Sequence, residues 1–214
     1  MKKSIKERHT ERSLSEVFTL KGVNIVILAR NYNPSIVSKE WLYQKNIIDE
    51  KVANFIHTPP LSFVETERIS FVLDEDSLRI SLKTVSPEGI EALPKIATKF
   101  VSCLPETPFK AIGFNYSYHT ASGSSHLRAL FSPNDTKLKR LFSKSYEIGS
   151  MVSFQFKEFL VSVSAPPARG ESARMTVNFN FHSDSQDAEA VKARLRLHPQ
   201  TIKKAEGILR GLSE

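Results

Sequence analysis

The 214-residue chain has one cysteine, one tryptophan and eight glycines, and each scarcity excludes something. Cys103 alone can form neither an intramolecular disulfide nor a cysteine-based zinc site, so stability has to come from packing and a reducing cytoplasm is expected. Its neighbours Phe100 and Leu104 mark an apolar helix, where a buried, inert thiol is expected. The amino terminus begins basic, Met1-Lys-Lys-Ser-Ile-Lys, yet no apolar stretch follows at signal-peptide distance. The longest apolar run nearby, Val23-Asn-Ile-Val-Ile-Leu-Ala29, falls short of the roughly 20 residues that span a bilayer. A cytoplasmic protein without membrane contact is therefore the expectation.

The glycines build no phosphate-cradling motif: Ser122-Gly-Ser-Ser125 has neither the lysine nor the spacing that such a loop needs. His-Glu-x-x-His and Gly-x-Ser-x-Gly are both missing, so zincin and hydrolase-elbow chemistry have no local support. Zinc-finger spacing, zipper heptads and an aromatic RNP-type strand are missing too. No metal or other cofactor is expected.

What is present is an ordinary globular composition, 40% hydrophobic and 25% charged, with 30 Lys and Arg against 23 Asp and Glu for a net charge of +7. A domain of this size buries roughly 70% of its unfolded surface, enough for a core without staples. Residues 1–20, with Lys2, Lys3, Lys6, Arg8 and Arg12, are expected to form a flexible basic arm.

Two halves follow, 21–108 and 109–214, within one domain. In the first, 22–30 alternates as a strand, Ser38 caps a short helix, and His57-Thr-Pro-Pro60 holds an extended path. Strands are expected at 61–65, 68–73 and 78–84, the last two joined by the turn Asp74-Glu-Asp-Ser77. Ser86-Pro87-Glu88 opens a helix that either kinks or restarts at Pro94. In the second, a strand at 109–119 leads through short helical pieces to strands at 151–156, 159–165 and 174–181. A helix capped by Asp184 and a last one from Pro199 complete it.

Each half thus reads β-α-β-β-β-α, and Ile69-Ser-Phe-Val-Leu73 has an echo in Val152-Ser-Phe-Gln-Phe156. The expected fold is α+β: duplicated β-α-β-β-β-α halves forming one largely antiparallel sheet with helices packed on one face. Coincidence between two common layouts is the alternative. The layout resembles, in architecture alone, the duplicated saddle of the TATA-binding protein; no motif is shared, and resemblance of fold does not transfer function.

If the apolar alternates face the helices, the others define a free face: Arg68, Ser70, Arg79, Ser81, Lys83, Asn115, Ser117, His119, Ser153, Gln155, Ser162, Ser164, Arg174, Thr176, Asn178, Asn180 and His182. This face is expected to be polar and basic, with few of the apolar wedges that kink DNA. A second basic feature is Lys137, Lys139, Arg140 and Lys144 on one helix edge. Together with Arg79, Lys83 and Arg174 they are the candidate phosphate- or nucleic-acid-binding residues. The bland reading of both features is solvated surface.

His119 and His182, both expected on the free face, are the candidate catalytic pair, able in principle to serve as acid and base on a phosphoester. Three functions follow in order of support: a non-enzymatic binding module, as subunit or accessory protein of a larger assembly contacting a protein partner or its own copy; a sequence-nonspecific nucleic-acid-binding protein; and a phosphoesterase-type hydrolase.

Overall fold

The computed structural model describes residues 17–120, 149–166 and 175–213. Nine antiparallel strands form one sheet in the order β2-β3-β4-β5-β1-β6-β9-β8-β7. They are β1 (Phe18–Ala29), β2 (Asn54–Thr58), β3 (Leu61–Glu65), β4 (Ile69–Asp74), β5 (Ser77–Leu82), β6 (Phe109–Thr120), β7 (Ser150–Phe156), β8 (Phe159–Ala165) and β9 (Thr176–Asp184). Four helices among the described residues pack against it: α1 (Lys39–Gln44), α2 (Pro87–Cys103), α3 (Ala188–Leu195) and α4 (His198–Ser213). The expected α+β class and antiparallel sheet are borne out.

Local chemistry sets the element ends much as the sequence implies. Ser38 accepts the Trp41 backbone N–H at 3.1 Å, and Ser86 accepts that of Gly89 at 3.1 Å with Pro87 in the first turn. Asp74 closes the β4–β5 hairpin by accepting the backbone N–H groups of Asp76 at 2.9 Å and Ser77 at 2.6 Å. α2 runs through Pro94 as a single helix. Proline there has no N–H for the preceding turn, while its own carbonyl accepts the Thr98 hydroxyl at 2.7 Å.

Alternate apolar side chains of β1, β4, β5, β6, β8 and β9 are buried in one core. Phe71 of β4 meets Phe100 of α2 edge to face at 5.4 Å, and Trp41 of α1 joins the same ring at 6.0 Å. Toward the other end, Phe114 and Tyr116 of β6 close around His198, the first residue of α4, at 5.1 and 5.7 Å. Such ring pairs add to the area term that burial already supplies.

The structure departs from the expected layout in three places. Asn54–Thr58, which overlaps the extended path expected at His57-Thr-Pro-Pro60 and otherwise carries no expected element, is a strand: β2 pairs with β3, and Pro59-Pro60 form the turn between Thr58 and Leu61. Its mostly exposed side chains gave no apolar alternation to read. The first half therefore has four strands between α1 and α2 where three are expected. β1 starts at Phe18, inside the stretch expected as a flexible arm, because Val17 and Phe18 are buried and Phe18 pairs with Thr120. Asp187, which accepts the Ala190 N–H at 2.7 Å, caps α3 in place of Asp184, which ends β9. Residues 1–16 and the helical pieces expected between 122 and 144 lie outside the described residues.

Candidate functional site

Because directly paired residues of neighbouring strands project to the same side, the register can be followed from edge to edge. On the face away from the helices one row runs Asn54, Glu65, Ser70, Ser81, Asn24, Asn115, Asn180, Ser162, Ser153. Each of the nine strands contributes one polar side chain to it, and none of the nine is fully buried.

At the centre the row is hydrogen-bonded side chain to side chain. Asn180 Nδ2 donates to Asn115 Oδ1 at 2.7 Å, and Asn115 Nδ2 donates to Asn24 Oδ1 at 2.8 Å. In the adjoining row Ser117 Oγ donates to Asn178 Oδ1 at 2.8 Å, and toward the edge Ser153 and Ser162 share a hydrogen bond at 3.2 Å. The amide chain has a direction. Among the described residues it leaves the N–H groups of Asn24 at one end and the Oδ1 of Asn180 at the other without a partner.

A depression of about 250 Å³ lies over this region, walled by Asn24, Asn115, Asn178, Asn180, Ser162 and Ser164, with Met151 among its lining residues. Gly22 also lines it, at the point where the β1–β6 register shifts past Lys21. A Cβ at Gly22 would come within 3.3 Å of the Ser117 Cβ, so the bare backbone lets the two strands close up. The lining carries no formal charge. Its volume is below the roughly 300–1,000 Å³ of small-molecule pockets.

The charge expected on this face is largely spoken for among the described residues. Lys83 Nζ sits 2.7 Å from Glu65 Oε1, and Arg68 Nε sits 2.6 Å from Glu50 Oε1. Burial opposes ionisation of the Glu50 carboxyl, but hydrogen bonds from Thr66 and Arg68 outweigh it and hold its pKa below the ordinary value. Arg79 is exposed and makes no ion pair among the described residues. Lys137, Lys139, Arg140, Lys144 and Arg174 lie outside the described residues.

The catalytic pair is not brought together. His119 is opposite Thr176 and His182 is opposite Gly113, six positions apart along β6, or about 20 Å at the rise of a strand. Both do project to the open face, but one small phosphoester cannot reach both rings. His182 Nε2 has Asp184 Oδ1 at 3.3 Å as its neighbour. Among the described residues no group of His, Cys, Asp and Glu is arranged to hold a metal ion. Cys103 is half-buried at the end of α2, where a buried thiol is expected.

Sequence reasoning missed the apolar part of the open face. A second row runs Ile56, Phe63, Val72, Arg79, Val26, Gly113, His182, Leu160, Gln155, with Ile56 and Leu160 about half exposed. The expectation of few apolar side chains there is corrected for β1 to β4. Runs such as Val23 to Ala29 are apolar at both parities, so alternation shows which positions are most buried but not that the opposite face is partly apolar as well.

No protein-family model matches the chain, and no curated protein matches it. No helix among the described residues is long and apolar enough to cross a membrane.

Proposed function

We propose that the chain is a non-enzymatic binding module, a subunit or accessory protein of a larger assembly, and that the open sheet face is its contact surface. The observation that carries this reading is the unbroken polar row. Nine strands each spend one position on a neutral or ion-paired polar group, and the amides at its centre are fixed by one another while keeping donors and acceptors to spare. A face organised in this way offers hydrogen bonds at low entropic cost, because the side chains are ordered before the partner arrives.

We also read the sheet as two copies of one unit meeting at the β1–β6 seam. Outward from that seam the strands follow as β5, β4, β3, β2 on one side and β9, β8, β7 on the other, in the same descending order. This symmetry of order supports the reading, and it would give the contact surface two related wings.

The test is site-specific photocrosslinking in the native cell, with the reactive residue at Ser164 on the open face or at Lys203 on the exposed side of α4. A discrete adduct from position 164 and none from 203 is expected. No adduct from 164, or equal adducts from both, would overturn the reading.

A second reading, sequence-nonspecific nucleic-acid binding, draws on the net charge of +7 and on Arg79, an exposed cation of the second row with no ion pair among the described residues. It expects affinity that falls steeply with salt and weakens further in Arg79→Glu. Failure to retain either DNA or RNA at low salt ends it. The hydrolase reading has lost the paired histidines on which it depended.

A further inference from the structure

We propose that the row Ile56, Phe63, Val72, Arg79, Val26 on the open face receives a helix of a protein partner, apolar along most of its contact stripe and carrying a carboxylate where it meets Arg79. This deepens the reading of the open face as a contact surface, on which it rests, by naming the partner's chemistry.

The five residues follow one another in register across β2, β3, β4, β5 and β1. Four are apolar; Ile56 is 50% exposed, and the other three are only half-buried, on the side away from the helices. Arg79 stands between Val72 and Val26, exposed and with no ion pair among the described residues. The two carboxylates that these strands place on the same face are already engaged. Glu65 holds Lys83 at 2.7 Å, and Asp74 accepts the Ser77 hydroxyl at 2.9 Å within the hairpin turn. Arg79 is therefore a cation set in an apolar row and left for an anion from outside.

The ladders select a helix. From β3 to β1 every strand has a neighbour on both sides, so the backbone donors and acceptors are spent and an occupant has to satisfy its own. A helix does so, and helix on sheet is the ordinary way of covering such a face. Spacing agrees: strands lie about 4.8 Å apart and a helix rises about 5.4 Å per turn, so a helix laid along the row sets roughly one side chain per turn against each strand.

Charge then selects the partner. A wholly apolar helix would cover Arg79 without a counter-charge, at a desolvation cost, whereas a carboxylate on the facing turn forms a charge-assisted hydrogen bond. The net charge of +7 attracts an acidic partner and disfavours a second copy of this chain. A nucleic acid would find in this row one cation over five strands, where each phosphate neutralised calls for one.

The test is selection from a displayed library of helical peptides randomised at positions i, i+4, i+7 and i+11, carried out on the full chain and on Arg79→Glu. Position 79 is exposed, so the variant should keep its fold and melting temperature. On the parent, the expected consensus is apolar at both outer positions and one inner position, with Asp or Glu at the other inner position. On R79E the acid should give way to Lys or Arg, and the peptide selected on the parent should bind R79E at least about tenfold more weakly. No consensus, a consensus without the acid, or the same consensus on both proteins would overturn the proposal. Displacement of the selected peptide by single-stranded DNA at physiological salt would also overturn it, in favour of nucleic acid. The failures are separable: no consensus with a persisting Ser164 photoadduct removes the helix and keeps the wider face, while the expected consensus without that adduct upholds the helix and removes the wider face.

Discussion

The most exacting prediction concerns His198. Its ring is fully buried, lies edge to face with Phe114 and Tyr116, and neither ring nitrogen has a hydrogen-bond partner among the described residues. With no carboxylate to favour the imidazolium, burial alone lowers its pKa from 6.5 to about 4. The unfolded chain therefore takes up a proton near pH 6.5 that the folded chain refuses until about pH 4. Between those values the unfolded state binds more protons, so stability falls as pH falls, by about 1.4 kcal/mol per unit and about 3 kcal/mol in all from pH 7 to pH 4. Above pH 7 the same group contributes no further slope.

The perturbation is His198→Leu, close in volume and unable to titrate. Urea unfolding of both proteins at pH 7, 5.5 and 4 gives the comparison, and carboxylates common to both cancel in the double difference. The variant should lose about 3 kcal/mol less than the parent between pH 7 and pH 4. At pH 7 it should also escape the cost of two orphaned nitrogens, roughly 1–3 kcal/mol, offset by the lost ring contacts. Parallel pH curves for the two proteins would refute the reasoning, since a ring that protonates equally in both states is not held neutral by the fold.

Two neighbouring tyrosines provide a second check. The Tyr116 hydroxyl shares a hydrogen bond with Thr201 Oγ1 at 2.6 Å, whereas the Tyr118 hydroxyl is buried without a partner among the described residues. Tyr116→Phe should cost about 1 kcal/mol and Tyr118→Phe should be neutral or stabilising by a similar amount, as thermal or urea unfolding will show. The β4–β5 turn provides a third, because Asp74→Ala removes the acceptor of two backbone N–H groups and one hydroxyl. A loss of about 1–2 kcal/mol is expected, with early amide exchange at Asp76 and Ser77. Unchanged exchange at those amides would show that the turn holds without its carboxylate.

The sequence was most legible where one physical cause dominates. The caps Ser38 and Ser86 and the Asp74 turn are local devices, set by a few consecutive residues, and each forms the bonds expected of it. β2 was illegible because its strand character comes from its partner: mostly exposed, it is held by the ladder to β3 and by a proline turn. The candidate face divides in the same way. Alternation correctly assigned Asn115, Asn180 and Ser162 to the side away from the helices. It gave no register, and register is what sets these residues in one row, separates His119 from His182, and brings Glu65 to Lys83. The Val26, Phe63 and Val72 positions were missed for a further reason. An apolar residue on an open sheet face looks the same in a sequence as one in the core.

The seam between β1 and β6 bears on how the chain acquires its structure. β5 pairs with β1 only from Asn24 to Leu28, while β6 pairs with it from Phe18 to Ala29. The front of β1 thus has its ladder partner about a hundred residues downstream: Phe18 waits for Thr120, and Leu20 for Tyr118. On a ribosome, β1 to α2 would be complete while the leading end of β1 still lacked a neighbour, and loop closure over that separation delays the last step of sheet formation. Synthesis therefore passes through an interval in which one long strand is half docked, and β6, the strand that ends it, is also the one on which the second half of the sheet is built.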